Sequence, residues 1–403
     1  MLANKHLYKV FIGATMHDFD LFIPTHVIFG KNRIEQLPKE LAKFGKKVLL
    51  TYGGGSIKKI GLYDKVISLL KDFDIYELSG IEPNPKITSV RAGVNICKAQ
   101  DIDVILAIGG GSVIDASKNI ACGALYQGDP WELVLDCSKV KAALPIVSVL
   151  TLSATGSEYD GSAVISNPQT NEKLPLFGTG ILEPKVSFLD PQYTYTVPKN
   201  QTSAGAADII SHTLEQYIVM EGNVLTDAMC EGVLKTVIKF TPIAIKEPDN
   251  YEARAQLMMA SSYGCSGNLA TGRTPSPWVC HGIEHEISAY TDITHGYGLA
   301  IITPHWMNYS LNDKTVDRFY QFAVNVFEVE KSEDKMAVAK LGIQKLREFF
   351  DEIGLPKSLS ELGVGSENFE AMADHVLSFW SPLDTAIWPV DKQGILKILN
   401  DSL

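Results

Sequence analysis

The chain has 403 residues, 45% of them hydrophobic and 21% charged, the mix of a soluble globular protein long enough for two domains. Its formal charge of −11 is offset by no Lys/Arg cluster, which argues against nucleic acid and membrane surfaces as partners. No apolar run approaches the roughly 20 residues that span a bilayer.

The N-terminal apolar stretch Val10 to Met16 is too short for a secretion signal, and acidic Asp18 and Asp20 follow it. The six cysteines (97, 122, 137, 230, 265 and 280) are scattered and form no C-x-x-C pair. Reduced thiols and a cytoplasmic setting are therefore expected.

From Phe19 to about Pro198, short apolar runs alternate with amphipathic stretches. The runs Lys47–Tyr52, Val104–Ile108, Ile146–Leu150 and Val186–Leu189 are rich in Val, Ile and Leu and bounded by Gly, Pro, Asp or Asn. That is the pattern of strands buried on both faces, hence of a mostly parallel sheet. Helix periodicity covers Ile57–Lys71 and Ile87–Ala99 between them. A doubly wound α/β domain over residues 16–199 is expected. From about Asn200 the β rhythm stops, and Ala204–Met220, Thr226–Ile245, Tyr251–Ser262, Lys335–Ile353 and Phe369–Leu377 all read as helices. Residues 200–403 should form an all-helical domain.

Two glycine-rich stretches follow strands in the first half. In Gly109-Gly110-Gly111-Ser112-Val113-Ile114-Asp115, the glycines let backbone N–H groups approach an anion at a helix N-terminus, as a pyrophosphate requires. The segment is neither G-x-G-x-x-G nor a P-loop, and a ligand-free strand-to-helix turn would also produce it. In the second stretch, Tyr52-Gly53-Gly54-Gly55-Ser56-Ile57-Lys58-Lys59, no acid stands where NAD-specific domains grip the ribose 2′-hydroxyl. Small residues, a hydroxyl and two lysines suit a 2′-phosphate, so NADP(H) is expected over NAD(H); the lysines could equally be solvated helix-face residues.

Nine histidines occur in the chain. Asp208 and His212 are four apart on an expected helix, His281 and His285 are four apart on another, and His295 follows in Thr291–Gly296. Spacing of i, i+4 sets two donors side by side at chelating distance. Which of the five residues stays off a metal is left open by spacing. One carboxylate with imidazoles suits one Fe(II) or Zn(II) and poorly suits Ca(II) or Mg(II). Closely spaced cysteine pairs of a structural zinc site are absent, which favours a catalytic metal. His6, His17, His26, His305 and His375 read as ordinary hydrogen-bonded residues.

The segments FIPTHVIFGKN, TYGGGSIKKIG, EPNP, AIGGGSVIDASK, TLSATGSE, AGAADIISHTLEQY and WVCHGIEHEISAYTDITHGYGLA occur in this order from about Met16 onward. In them the chain resembles the iron-containing (group III) alcohol dehydrogenases, within them the NADPH-dependent butanol dehydrogenase and aldehyde reductase branch. The resemblance implies an α/β cofactor domain with a helical metal domain, and a homodimer acting on small alcohols and aldehydes. It also places the metal ligands on Asp208, His212, His281 and His295, and a proton relay on His285. Cofactor contacts carry over to Gly54, Ser56, Asn84, Gly110, Gly111, Ser112, Asp115, Thr151, Leu152, Thr155 and Lys173. Two features depart from the family: Asp160 stands where a neutral residue is usual, and residues 1–15 precede its pattern. A charge at 160 is expected to weaken NADP(H) binding or shift the ribose; the extension is expected to play no part in catalysis.

A lyase of the dehydroquinate-synthase type shares this fold and metal placement, but its phosphorylated substrates need several basic residues. Around Thr271–His295 only Arg273 is found, beside the aromatics Trp278 and Tyr290. A sensor domain that binds metal or nucleotide without turnover is a third reading.

Overall fold

The computed structural model describes residues 16–380 and 382–403; the extension 1–15, with His6, lies outside the described residues. The first half holds strands β1 (His26–Phe29), β2 (Lys47–Tyr52), β3 (Asp74–Leu78), β4 (Val104–Gly109), β5 (Ile146–Leu150), β6 (Ser162–Asn167), β7 (Glu172–Phe177) and β8 (Val186–Leu189). Six of them form one sheet in the order β1-β8-β5-β4-β2-β3, every pair parallel. Helices α1 (Leu37–Leu41), α2 (Ser56–Lys59), α3 (Leu62–Leu69), α4 (Ile87–Gln100), α5 (Gly111–Leu125) and α6 (Trp131–Leu135) connect them.

The continuous apolar runs are explained by two cores, one on each face. Leu49, Ile105 and Ile146 pack with Val90 and Val94 of α4 and Ile114 and Ile120 of α5. Val48, Leu50, Val104 and Val147 pack with Leu62 and Val66 of α3. The chain winds outward from β2 to β3, then returns to place β4 on the other side of β2. That reversal opens a crevice at the carboxyl ends of β2 and β4, where doubly wound folds bind ligands. Both glycine-rich turns, Gly53–Gly55 and Gly109–Gly111, fall there.

Two features differ from the sequence-based expectation. The helix expected over Ile57–Lys71 is broken into α2 and α3, because Gly61 adopts φ +73° and interrupts it. Strands β6 and β7 form an antiparallel hairpin that the pattern had not disclosed, registered Ala163 to Leu176 and Ser166 to Lys173.

The second half is built of α7 (Lys199–Tyr217), α8 (Val224–Lys246), α9 (Tyr251–Gly264), α10 (Val279–Thr291), α11 (His295–Ser310), α12 (Val316–Phe327), α13 (Lys335–Glu352), α14 (Phe369–Phe379) and α15 (Lys392–Asp401). Helix α7 runs through its centre and is buried on all sides from Thr202 to Tyr217. It starts earlier than expected, at Lys199 behind Pro198, and ends at Tyr217, short of Met220. Small residues allow the close approach: a Cβ on Gly205 would lie 3.3 Å from the Cβ of Ala154 in the loop after β5. The next turn of α7 is thereby pressed toward the sheet's carboxyl edge. Among the described residues no helix is long and apolar enough to cross a membrane.

Candidate metal and cofactor site

Asp208 and His212 project from α7, His281 and His285 from α10, and His295 is the first residue of α11. Asp208, His281 and His295 each bring a donor atom within 4.8 Å of the others. Around Asp208 Oδ1 stand His212 Nδ1 at 3.3 Å, His295 Nε2 at 3.6 Å and His281 Nε2 at 3.7 Å. The His212 and His281 rings stack with centroids 4.4 Å apart.

Asp208 Oδ1, His212 Nδ1 and His281 Nε2 are all buried without a hydrogen-bond partner. An unsatisfied buried polar atom costs about 1–3 kcal/mol, so three converging ones point to a missing partner that accepts lone pairs. One carboxylate and imidazoles at this spacing fit a divalent transition metal. A second group, Glu284, His285 and His295, also has metal-compatible spacing. Its carboxylate is already engaged, however: Glu284 takes the Ser288 hydroxyl, His295 Nδ1, and Lys173 Nζ at 3.3 Å. Around Asp208 three atoms are left without a partner, against His285 Nδ1 alone in the second group.

Two residues that the sequence reading passed over orient the imidazoles. Glu215 hydrogen-bonds His281 Nδ1 and accepts the Cys280 N–H at 2.7 Å; Glu284 hydrogen-bonds His295 Nδ1. With the proton on Nδ1, Nε2 keeps its lone pair, the arrangement a carboxylate–histidine–metal relay requires. Their signal was in the sequence: Asp208, His212 and Glu215 are spaced i, i+4, i+7, and Glu284 is three residues past His281, so each lies along a ligand face.

Electrostatics favour unprotonated rings at His212, His285 and His295, and a protonated one at His281. Burial pushes His212 down to about 4. Burial, then the charge of Lys173, holds His285 and His295 well below the ordinary histidine value. At His281 burial works the same way, but the carboxylates of Glu215 and Asp208 outweigh it and raise the ring to about 9. For Asp208 burial is outweighed in turn by His212, His281 and His295, which hold the carboxyl below its usual range.

A cavity of about 500 Å³ adjoins these groups, lined by His212, His281, His285 and His295 on one side and Ser112, Asp115 and Thr155 on the other. Trp278 and Trp380 flank it, the latter edge-on to His285 with centroids 5.2 Å apart. Of the expected cofactor residues, Gly110 and Gly111 open α5 at the end of β4. A Cβ on Gly110 would lie 3.1 Å from the Leu152 side chain, which is why the turn needs glycine for close passage. Thr151 N–H donates to Gly109 at 3.0 Å, joining the loops after β4 and β5. Asp115 is buried beneath them, takes the Ser157 hydroxyl at 2.5 Å and the Val164 N–H at 2.9 Å, and is pushed up to about 6 by burial. Lys173, delivered by the hairpin, lies 3.3 Å from both Glu284 Oε2 and His295 Nδ1. Asn84, at φ +48°, donates to Asp292 at 2.9 Å and to the Ile293 carbonyl at 3.2 Å, tying its loop to the one that precedes His295. Gly54 and Ser56 are exposed, and a Cβ on Gly54 would meet nothing within 4 Å.

Three charged residues singled out in the sequence have partners of their own. Asp160 does not offer a free charge to the cofactor: it pairs at 2.7 Å with Lys118, whose side chain is fully buried, so the two charges offset each other. Lys58 is exposed and rests over the Tyr63 and Tyr52 rings, 4.5 and 5.1 Å from their centroids. Arg273 is buried against Thr226, Asp227 and the Gln216 carbonyl, away from the cavity. Of the remaining histidines, His375 bridges Glu286 at 2.7 Å and Glu172 at 3.7 Å, while His26 is mostly exposed.

A dinucleotide-type crevice facing a buried carboxylate–imidazole cluster marks a protein built to set a nucleotide against a metal. The sequence profile of "Iron-containing alcohol dehydrogenase" matches residues 24–191, and that of "Fe-containing alcohol dehydrogenase family, C-terminal" matches 202–403. The chain is 49% identical to "NADH-dependent butanol dehydrogenase A" of Clostridium acetobutylicum over 390 residues, covering 96% of this chain and all of that one. It is 37% identical to "NADPH-dependent aldehyde reductase YqhD" of Escherichia coli, covering 89% and 92%. Among solved structures, "NADH-dependent butanol dehydrogenase A" of Thermotoga maritima superposes with a TM-score of 0.91 at 38% identity, covering 96% and 99%. This chain belongs to the iron-containing alcohol dehydrogenase family.

Proposed function

We propose that this chain interconverts small aldehydes and primary alcohols, butanal and butanol among them: R-CHO + NAD(P)H + H⁺ ⇌ R-CH₂OH + NAD(P)⁺. The observation that carries the reading is the convergence of unpartnered Asp208, His212 and His281 atoms beside a cavity reaching Ser112 of the glycine-rich turn. Asp208, His212, His281 and His295 would hold one Fe(II) or Zn(II). When bound, the metal supplies a Lewis acid for the substrate oxygen and the nicotinamide supplies or accepts hydride.

The remaining work falls to the chain. Glu215 and Glu284 fix which nitrogen of His281 and His295 carries the proton. Trp278 and Trp380 wall the cavity and limit water. His285 lines the cavity with a buried Nδ1 that has no protein partner, and is held neutral, so it can take and pass a proton. Gly54, Ser56, Asn84, Gly110, Gly111, Ser112, Asp115, Thr151, Leu152, Thr155 and Lys173 form the cofactor side. Room at Gly54, and the absence of an acid at the turn after β2, support NADPH over NADH. The cofactors in the relatives' names differ, NADH for the butanol dehydrogenase and NADPH for the aldehyde reductase. The unit boundary is taken at 199/200. A cytoplasmic homodimer is the setting proposed, in keeping with six unpaired cysteines.

The lyase reading is disfavoured by the cavity itself: among the described residues, Lys173 is its only lysine or arginine, and that amine is already engaged with Glu284 and His295. The test uses metal-free protein, restored with Fe(II) or Zn(II), and follows loss of reduced nicotinamide with butanal. Metal-dependent oxidation of NADPH, with NADH slower, is expected. Faster turnover with NADH would overturn the preference alone; none with either would overturn the activity.

A further inference from the structure

Helix α7 carries Asp208, His212 and Glu215, and it ends at Tyr217 inside the protein, where its last carbonyl groups lie beyond the helical ladder. Two buried arginines reach them. Arg273 donates to the Gln216 carbonyl and Arg318 to that of Tyr217. Cations at a helix C-terminus also oppose the negative end of its dipole. One buried carboxylate, that of Asp227 on α8, meets both guanidinium groups. Its Oδ1 lies 2.8 Å from Arg273 Nη2 and 3.0 Å from Arg318 Nη2, and its Oδ2 lies 2.7 Å from Arg318 Nη1.

This cluster adjoins the groups that orient the ligands. Gln216, whose carbonyl Arg273 holds, directly follows Glu215, which bonds His281 Nδ1. The Gln216 side chain donates to the carbonyls of His212 at 3.0 Å and Gly264 at 2.8 Å, so the turn is held from both sides. Thr274, next to Arg273, donates its N–H to the Glu221 carbonyl at 2.9 Å, and from there the chain runs through Trp278 into α10 and His281. Asp227 is thereby joined to both α7 and α10.

Burying three charged groups is a costly way to cap a helix, since an apolar plug of the same volume is often as stable or more so. What an apolar plug lacks is direction. Guanidinium forks fix the positions of two carbonyls, and with them the register of the turn that holds Glu215.

We propose that Asp227 is a positioning residue for the metal site, acting through Arg273 and the last turn of α7 on Glu215, and through Glu215 on His281. The inference rests on the metal reading above. Without the Asp227 charge the two guanidinium groups repel each other and lose their common anchor. The turn at Gln216 then slackens, and Glu215 holds His281 Nδ1 less firmly.

The test is a mutant cycle on the full-length protein. Zn(II) affinity is read by competition against a chelator, and the stability of the metal-free form by urea unfolding. Asp227→Asn should weaken Zn(II) binding about tenfold, and Glu215→Gln by about 10–100-fold. The double variant should bind no more weakly than Glu215→Gln alone, because both substitutions break one chain of contacts. A merely structural role would lower the unfolding midpoint and leave Zn(II) affinity unchanged, or would add its loss in full to that of Glu215→Gln; either result overturns the proposal. Should Asp227→Asn fail to fold, Arg273→Lys takes its place in the cycle, with the same expected and overturning outcomes, since lysine keeps the charge but lacks the fork. A parent that binds neither Zn(II) nor Co(II) overturns the metal reading and this proposal with it; a parent that binds, with the variant's affinity unchanged, overturns the positioning role alone.

Discussion

Replacing Glu215 by Gln isolates the role of a residue that touches no substrate. Glu215 is buried and meets two donors, the Cys280 N–H at 2.7 Å and His281 Nδ1. Gln has nearly the same shape but only one accepting oxygen. If that oxygen keeps Cys280, the amide NH₂ confronts Nδ1 and favours the tautomer with the proton on Nε2, which cannot ligate. If it keeps His281, two N–H groups confront each other at Cys280. Either way one neutral hydrogen bond and the carboxylate's charge on the imidazole are lost. Losing such an orienting partner costs about 10–100-fold in metal affinity, or about 1.4–2.7 kcal/mol. Competition against a chelator, with Zn(II) or Co(II) as probe, measures it directly, and circular dichroism checks the fold. Affinity unchanged within about twofold would refute the tautomer reasoning.

Other outcomes follow from the same geometry. His285→Ala should retain metal while lowering kcat about 100-fold or more; loss of metal in that variant would make His285 a ligand. Gly54→Asp introduces an acid into open space beside the expected ribose, and should lower kcat/KM for NADPH about tenfold or more while sparing NADH; equal losses would place the ribose elsewhere. Glu158 is fully buried, and burial pushes its carboxyl up to about 7 from the ordinary 4.5, against the Ser262 hydroxyl that opposes the shift. The folded state therefore favours its neutral form: the associated stability is full below pH 4.5, is lost as pH rises toward 7, and leaves the parent about 3 kcal/mol worse off at pH 8. Glu158→Gln should accordingly gain about 2 kcal/mol on the parent between pH 5 and pH 8 in urea unfolding; a gap independent of pH would show that Glu158 is ionised throughout.

Much of this was legible in the sequence because the signals were local. Val48 to Tyr52 and Val104 to Ile108 read as doubly buried strands, which they are, and Asp208/His212 and His281/His285 read as paired donors on helix faces. What stayed hidden depends on contacts between distant segments. Nothing near Asp160 announces that Lys118 will neutralise it from α5, 42 residues away. The β6–β7 hairpin escaped notice because its strands carry Lys173 and Pro175, weak strand formers that pairing and burial override. Glu215 and Glu284 stand at helical spacing from the histidines, but spacing alone does not say that their carboxylates will meet the His281 and His295 rings. The contact of Lys58 with the Tyr52 and Tyr63 rings likewise has no sign in the glycine-rich turn that precedes it.

The proposed metal position is among Asp208, His212, His281 and His295, with Glu284 behind His295. Crystals grown with Fe(II), examined by anomalous diffraction on either side of the iron edge, address it directly. A single peak within bonding distance of Asp208 Oδ1 and the Nε2 atoms of His281 and His295, with His212 completing the shell, is the expected result. A peak on Glu284, His285 and His295, or none in protein that reduces butanal, would contradict the account.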